Sequence, residues 1–107
     1  MLKNFKTYQL ALSFHREVKF LKLKGEIRDQ MERAALSIVT NLAEGSGRSH
    51  RNDRKRFFEF AMGSLRETQA LLEVLSLKWS KNLEQEKDLA DKLGAYLFNL
   101  IKNPIRA

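Results

Sequence analysis

The chain has 107 residues, no cysteine, a net charge of +7 and 43% hydrophobic residues. This length fits one domain with one core, and the composition is that of a globular protein rather than a disordered one. Without cysteine, disulfides and thiolate metal sites are excluded, which suits the reducing cytoplasm. No run approaches the roughly 18 apolar residues of a membrane span, and the N-terminus carries charges where a signal peptide has its apolar stretch. We therefore expect a soluble cytoplasmic protein with one domain over residues 1–107.

Apolar residues recur with helical period along the chain, and the pattern predicts two helices in its first half. The first extends from about Thr7 to Leu23 and is stopped by Lys24-Gly25. Its predicted core stripe comprises Tyr8, Ala11, Leu12, His15 and Val18. The second begins near Ile27 and ends in the stretch 44–47, where a glycine can adopt the left-handed conformation that often terminates helices. Its predicted core stripe comprises Ile27, Met31, Ala34, Ile38 and Leu42.

Two further helices are predicted in the second half. The third is the longest, with Ser49 or Asn52 as its N-cap and an end near Leu77 or Trp79. The fourth begins after Asn82, with Gln85 completing an imperfect capping box, and is ended by Pro104. Its predicted core stripe comprises Leu89, Leu93, Tyr96, Leu97 and Leu100. Because the connections are short, sequential helices should be antiparallel neighbours, and the predicted fold class is an all-α, up-down-up-down four-helix bundle.

The third helix has more apolar surface than a bundle core requires. Its main stripe comprises Phe57, Ala61, Ser64, Leu65, Thr68, Leu71, Leu72 and Leu75. A second stripe, rotated by roughly 100° around the helix axis, comprises Phe60, Gly63, Ala70 and Val74. In the second helix, Leu36 also points away from its own core stripe. A helix that is apolar on two faces must bury both, and either a wide core or a subunit interface would do so. The subunit interface predicts a homo-oligomer.

Positive charge is concentrated in residues 48–56, which hold five basic residues and one acid. The segment covers the loop after the second helix and the first turn of the third, where cations oppose the helix dipole. Free backbone N–H groups and clustered guanidinium groups form a receptor for phosphate, and the segment therefore predicts a nucleic-acid site. Its candidate binding residues are Arg48, His50, Arg51, Arg54, Lys55 and Arg56. In the predicted bundle they lie at the same end as Lys3, Lys6, Lys102 and Arg106. The alternatives are an ordinary solvated basic turn and a surface for an acidic protein.

A polar face runs beside the core stripe of the second helix. It comprises Gln30, Arg33, Ser37, Asn41 and Glu44. Glu67, on the second stripe of the third helix, could face Arg33. A general acid is conceivable here, but a buried and fully paired structural network, with an Arg33–Glu67 ion pair, is the more usual arrangement.

No catalytic or metal motif is recognisable. The two histidines, His15 and His50, have no metal-ligand spacing around them, and no phosphate-binding glycine loop follows a strand. The sequence therefore predicts neither an enzyme nor a cofactor.

Two stretches carry a resemblance to a known family. They are residues 29–38 with 41–48, and residues 57–67. Together they resemble the four-helix-bundle family encoded in intervening sequences of bacterial 23S ribosomal RNA genes, and Phe5, Tyr8 and Ala11 are similar to its N-terminal helix. The resemblance spans nearly the whole chain, although here the first helix is basic and the loop before the second helix is short.

The resemblance implies a four-helix bundle without enzymatic activity, in a family whose related members form pentameric rings. A more distant relative, the accessory variability protein of diversity-generating retroelements, is a basic pentamer that binds nucleic acid and a reverse transcriptase. The expected function is thus an oligomeric protein that binds nucleic acid, with RNA favoured. The alternative is a scaffold that docks an acidic partner, a reverse transcriptase or another polymerase.

Overall fold

The structure, a computed structural model, describes residues 5–79 and 82–105. These residues form four helices and no strand: α1 (Lys6–Phe20), α2 (Gly25–Ser46), α3 (Arg51–Lys78) and α4 (Glu84–Lys102). The predicted all-α fold with four helices is confirmed. At about 1.5 Å per residue, the 28 residues of α3 span about 42 Å, close to the longest molecular dimension of 44 Å. The longest helix therefore sets the length of the bundle.

Contacts along α3 give the direction of its two neighbours. Ser64 of α3 donates a hydrogen bond to Ser37 of α2, and nearer the start of α3 the side chain of Phe57 packs at Gly45. On the other side, Arg51 reaches Asn103 at the end of α4, whereas Gln69 reaches Asp91. In both pairs the residue number falls on one helix as it rises on the other. Both neighbours of α3 are therefore antiparallel to it.

Helix α1 closes the bundle by packing between α2 and α4. Phe5, its N-cap, makes an edge contact with Phe58 near the start of α3, with ring centroids 6.4 Å apart. The first turns of α1 and α3 therefore share one end of the bundle with the last turn of α4. We call this the basic end, because the segment 48–56 lies there.

The core confirms the stripes predicted for α2, α3 and α4. The largest fully buried side chains of these helices are Phe58, Met31, Ile38, Leu42, Leu65, Leu72, Leu93, Leu97 and Thr68. In α3, Phe58 takes the central core position and Phe57, which was assigned to the main stripe, is only partly buried.

The core face predicted for α1 is correct for Ala11 and Val18, which are buried, but wrong for the other three residues. Leu12 is exposed, and Tyr8 and His15 are only partly buried. The buried residues of this helix are Thr7, Leu10, Ala11, Phe14 and Val18. Helix α1 carries two apolar stripes, and the rotation that buries Phe14 removes more apolar surface from water than one that buries His15.

The turns also differ from those predicted. Helix α1 ends at Phe20 rather than at Leu23, and left-handed conformations at Lys22 (φ 54°) and Gly25 (φ 68°) lead into α2. At the other end of α2, Gly47 is right-handed, with φ −88°. The glycine that the fold requires there is Gly45, because an added Cβ would lie 2.9 Å from both Phe57 and Phe58.

The N-cap predicted for α3 is wrong, whereas the predicted capping of α4 by the Asn82 side chain is present. The cap of α3 is His50, which makes no side-chain capping bond, rather than Ser49 or Asn52. For α4 the cap residue is Leu83, although the Asn82 side chain accepts a hydrogen bond from the Glu84 N–H at 2.9 Å. In the first turn of α3, therefore, no side-chain cap accepts hydrogen bonds from the free backbone N–H groups.

Candidate nucleic-acid interface

The segment 48–56 lies at the basic end, beside the last turn of α4. The Arg51 guanidinium donates to the Asn103 side-chain oxygen at 3.3 Å and to the Lys102 carbonyl at 3.4 Å. Two further cations of this end, Lys6 and Lys102, are exposed. The other two that the sequence assigned here, Lys3 and Arg106, lie outside the described residues. The predicted grouping is therefore present wherever the structure describes it.

Arg54 contributes to the fold through its hydrogen bonds. Its guanidinium donates to the carbonyls of Arg48 (3.2 Å), Ser49 (2.9 Å) and Pro104 (3.3 Å). It thus connects the loop before α3 to the segment that follows α4. A guanidinium with three protein acceptors has few N–H groups left for phosphate, and Arg54 fits a structural role better than the binding role predicted for it.

Arg48 is also held by the protein. It forms an ion pair with Glu44 at 2.7 Å, and its guanidinium lies 4.7 Å from the centroid of the Phe57 ring. Its Nε is buried without a hydrogen-bond partner among the described residues. Glu44, assigned to a polar network on α2, is therefore engaged at the basic end instead.

The position of α4 changes how the basic segment is interpreted. Cations at the start of α3 oppose its dipole, and this looks like a local conflict when the sequence is considered alone. In the structure, Arg51 and Arg54 reach carbonyls at or just beyond the C-terminus of the antiparallel α4, where the dipole of that helix favours positive charge. The conflict is thus offset by a neighbouring helix, and part of the segment has a structural explanation.

The remaining cations of the segment are accessible. Lys55 and Arg56 are exposed, and His50 beside them, neutral in the formal net charge, is exposed as well. The ion pair of Arg56 with Asp53 is long, at 3.9 Å, and joins two well-exposed side chains. Such surface pairs contribute little and exchange readily for other partners. Together with Lys6 and Lys102, Lys55 and Arg56 form an exposed set of cations, which we call the free cations.

Aromatic rings lie among these cations, and sequence reasoning missed them. The Arg56 guanidinium is 5.2 Å from the Phe57 ring centroid, and the half-exposed Phe60 meets Phe57 edge to face. On α4, the Lys102 ammonium is 5.5 Å from the ring of Phe98, which is 56% exposed. The available signal was the run of three phenylalanines in residues 57–60, immediately after the basic segment.

The polar face of α2 forms a network, but a smaller one than predicted. The Asn41 amide donates to the Ser37 carbonyl (2.9 Å) and hydroxyl (3.0 Å), and Ser64 donates to the same hydroxyl at 2.8 Å. Gln30 bonds only to Glu26 on its own helix, as far as the described residues show.

The predicted buried pair between Arg33 and Glu67 is wrong for the single chain. Both residues are exposed, and no ion pair joins them. The small Ser37 and Ser64 bring α2 and α3 close together in the interior, and Arg33 and Glu67 lie outside that contact.

The second apolar stripe of α3 lies on the outer surface. Phe60 and Val74 are 50% and 40% exposed, and Leu36 of α2 is 49% exposed. Gly63 and Ala70 are exposed between them. The wide core that the sequence pattern offered as one explanation is therefore excluded within one chain, because these residues are exposed and not part of the buried core.

Within the described residues, no group of three or more His, Asp or Glu side chains could hold a metal ion. His15 is partly buried on α1 and His50 is exposed at the basic end. No helix in the described part is both long and apolar enough to cross a membrane.

Comparison with known proteins gives a family and a fold. The model of the 23S rRNA-intervening sequence protein family matches residues 3–97. Among solved structures, the chain is similar to a protein of unknown function from the S23 ribosomal protein family of Bacteroides thetaiotaomicron. The two are 21% identical, with a TM-score of 0.83 over 96% of this chain and 100% of the other. No curated protein matches significantly.

Proposed function

The chain belongs to the 23S rRNA-intervening sequence protein family, and we propose that it is a non-enzymatic protein that binds nucleic acid, with RNA as the expected ligand. The observation that supports this is the set of free cations at the basic end, Lys6, Lys55, Arg56 and Lys102, with the exposed His50 beside them. They come from three helices, and the uncapped first turn of α3 lies among them. Exposed cations around free backbone N–H groups form a phosphate receptor.

The decisive experiment removes free cations without touching the structural arginines. The variant Lys55→Gln/Arg56→Gln/Lys102→Gln removes three exposed charges and keeps Arg48, Arg51 and Arg54. Its matched control is Lys19→Gln/Lys22→Gln/Lys24→Gln, which removes three exposed lysines from the opposite end of the bundle. Affinity for a fixed RNA is measured by fluorescence anisotropy between about 50 and 200 mM salt, a range over which phosphate binding weakens markedly.

We expect the basic-end variant to bind more weakly, with the slope of log affinity against log[salt] flatter by about one unit for each phosphate that is no longer bound. The control should retain the parental slope. If the control binds more weakly and the basic-end variant does not, the site is at the opposite end. Absence of binding by the parent protein at low salt would contradict the function itself, and the alternative, docking of an acidic protein partner, would then be favoured.

We further propose that the chain forms a homo-oligomer through the outer stripe of α3, together with Leu36. An added Cβ at Gly63 would meet no atom within 4 Å in its own chain. Packing within the chain therefore does not explain this glycine, whereas close approach by another helix would. Arg33 and Glu67, exposed and without an ion pair to each other, supply opposite charges for pairing between copies.

A five-membered ring is the assembly that the family resemblance implies. Light scattering at micromolar concentration should therefore give about five times the chain mass. Ala70→Arg inserts a charge into the outer stripe and should reduce the particle to a monomer with unchanged helical circular dichroism. A parent protein that is monomeric at that concentration would contradict the proposal.

A further inference from the structure

We infer that the groove between α3 and α4 receives an unpaired nucleobase stacked on Phe98, so that the ligand is a single strand rather than a duplex. This inference rests on the proposed function and names its substrate class. The groove has a volume of about 340 Å³, near the lower end of the roughly 300–1,000 Å³ of small-molecule sites. It therefore suits one base with its sugar.

Phe98 provides the stacking surface. More than half of the Phe98 side chain is exposed, and it lies outside the buried positions of α4. The Lys102 ammonium, one turn later, is 5.5 Å from the ring centroid. An exposed aromatic ring beside a cation is the arrangement with which proteins bind single strands, because the base stacks on the ring while the cation contacts the phosphate.

The groove continues into the basic end. The Lys102 carbonyl accepts a hydrogen bond from Arg51, so Phe98 lies one helical turn from this contact on α4, and Lys55 lies one turn beyond it on α3. A strand whose phosphates contact the free cations would thus pass the mouth of the groove. Charge complementarity at this end therefore favours a polyanion as the occupant.

The polar groups of the groove suit the edge of a base. Arg66 donates to the Gln69 side-chain oxygen at 2.8 Å, and the Gln69 amide donates to Asp91 at 3.2 Å. These two hydrogen bonds fix the orientation of the Gln69 amide. The exposed amide of Asn99 makes no side-chain hydrogen bond to the described residues and lines the same groove. Amide groups are the usual partners of base edges.

Small residues of α4, Gly94 and Ala95, line the groove, and an added Cβ at Gly94 would make only ordinary contacts. A Cβ at Gly94 would lie 3.4 Å from the Leu65 side chain and 3.8 Å from the Arg66 guanidinium. With Ala95 beside it, the wall of the groove beneath Phe98 therefore has almost no side-chain bulk.

A nucleic-acid duplex could not stack a base on Phe98 in this groove. Its bases are stacked on one another and paired, and their faces are unavailable to a protein ring unless a nucleotide is extruded. Phosphate contacts alone, in contrast, do not distinguish single strands carrying bases from strands lacking them. Stacking on Phe98 therefore predicts a dependence on the presence of bases.

The test compares two strands and two variants of the full chain. The strands are a 12-nucleotide poly(A) RNA with one 2-aminopurine and an abasic phosphodiester of equal length. The variants are Phe98→Leu and, as the matched control, Phe20→Leu, which alters a phenylalanine that is 64% exposed near the opposite end. The readouts are the dissociation constant and the 2-aminopurine fluorescence, which reports stacking directly.

The parent protein should bind the base-containing strand about tenfold more tightly than the abasic strand, within the range measured for stacking of one base on an aromatic ring. Phe98→Leu should remove this preference and the fluorescence change, whereas Phe20→Leu should keep both. If the abasic strand binds equally well and Phe98→Leu changes nothing, the inference is overturned and the proposed function stands. If neither strand binds, both are overturned.

Discussion

Two phenylalanines on α3, two positions apart, meet different surroundings. Phe58 is fully buried and packs against Phe5, whereas Phe60 is half exposed on the outer stripe. Helical spacing places Phe60 in the second stripe and Phe57, rather than Phe58, in the main stripe, so periodicity alone does not separate the buried ring from the exposed one. The chain's own core uses one stripe only, and the other is exposed.

The same contrast holds for two adjacent cations. Arg54 is partly buried and donates to three carbonyls, while Lys55 is exposed and makes no hydrogen bond or ion pair with the described residues. Within a single turn, one cation therefore stabilises the loop and the next is available to a ligand. A charged segment cannot be treated as one site, and the variants that test it have to separate the two kinds of residue.

The largest difference should be between Phe58→Ala and Phe60→Ala. Truncating a fully buried phenylalanine costs about 3–5 kcal/mol, because the ring no longer fills the core and a cavity remains. Truncation of Phe60 should change the free energy of unfolding by less than about 0.5 kcal/mol in a monomeric background. Urea denaturation followed by circular dichroism measures both.

Both substitutions are best made on Ala70→Arg, so that subunit packing does not contribute. A decrease of more than about 2 kcal/mol from Phe60→Ala in that background would mean that the outer stripe belongs to the chain's own core.

The second comparison is between Arg54→Ala and Lys55→Ala. Hydrogen bonds from a charged donor contribute about 1.5–3 kcal/mol, and Arg54→Ala leaves the carbonyls of Arg48, Ser49 and Pro104 without this donor. Unfolding free energy should fall by that amount for Arg54→Ala and stay nearly constant for Lys55→Ala. At temperatures where both variants are folded, Lys55→Ala should lower the affinity for RNA and Arg54→Ala should leave it nearly unchanged. Equal stability of the two variants would contradict the structural role given to Arg54.

The fold was largely predictable because its determinants are local. Helical spacing in α2, α3 and α4 identifies the buried stripes, and Pro104 marks the end of α4. In α1, Ala11 and Val18 were assigned to the core correctly, but the rest of the face was wrong because two apolar stripes compete on this helix and the choice depends on which neighbours bury Phe14. Such a choice is made by tertiary packing, which periodicity does not contain.

The candidate site was predictable in position but not in the roles of its residues. The basic segment is visible in the sequence, whereas the acceptors of Arg54 include a carbonyl 50 residues away. The Arg33–Glu67 pair failed for a related reason. Residue spacing placed Arg33 and Glu67 at matching heights on α2 and α3. It did not show that both side chains lie outside the contact between the two helices.

The smallest expected change in unfolding free energy concerns two glycines, Gly45 and Gly63, whose tolerance of a side chain cannot be judged from the sequence. Gly45 is packed against Phe57 and Phe58, and an added methyl group would lie 2.9 Å from each. Gly45→Ala should therefore destabilise the fold by about 1–3 kcal/mol through overpacking. Gly63 has open space around it in the single chain, and it serves as the contrasting position.

Gly63→Ala should raise the unfolding free energy of the monomeric Ala70→Arg background by about 0.5–1 kcal/mol, because alanine has the higher helix propensity and Gly63 lies in the exposed interior of α3. In the assembling parent chain the same methyl group would stand where a neighbouring helix approaches closely. Association should then weaken although the monomer is more stable, so that sedimentation shows dissociation at a higher protein concentration. This opposition between monomer stability and assembly distinguishes a packed interface from a merely exposed stripe. A variant that is stabilised equally in both backgrounds, with unchanged association, would mean that no subunit packs against Gly63.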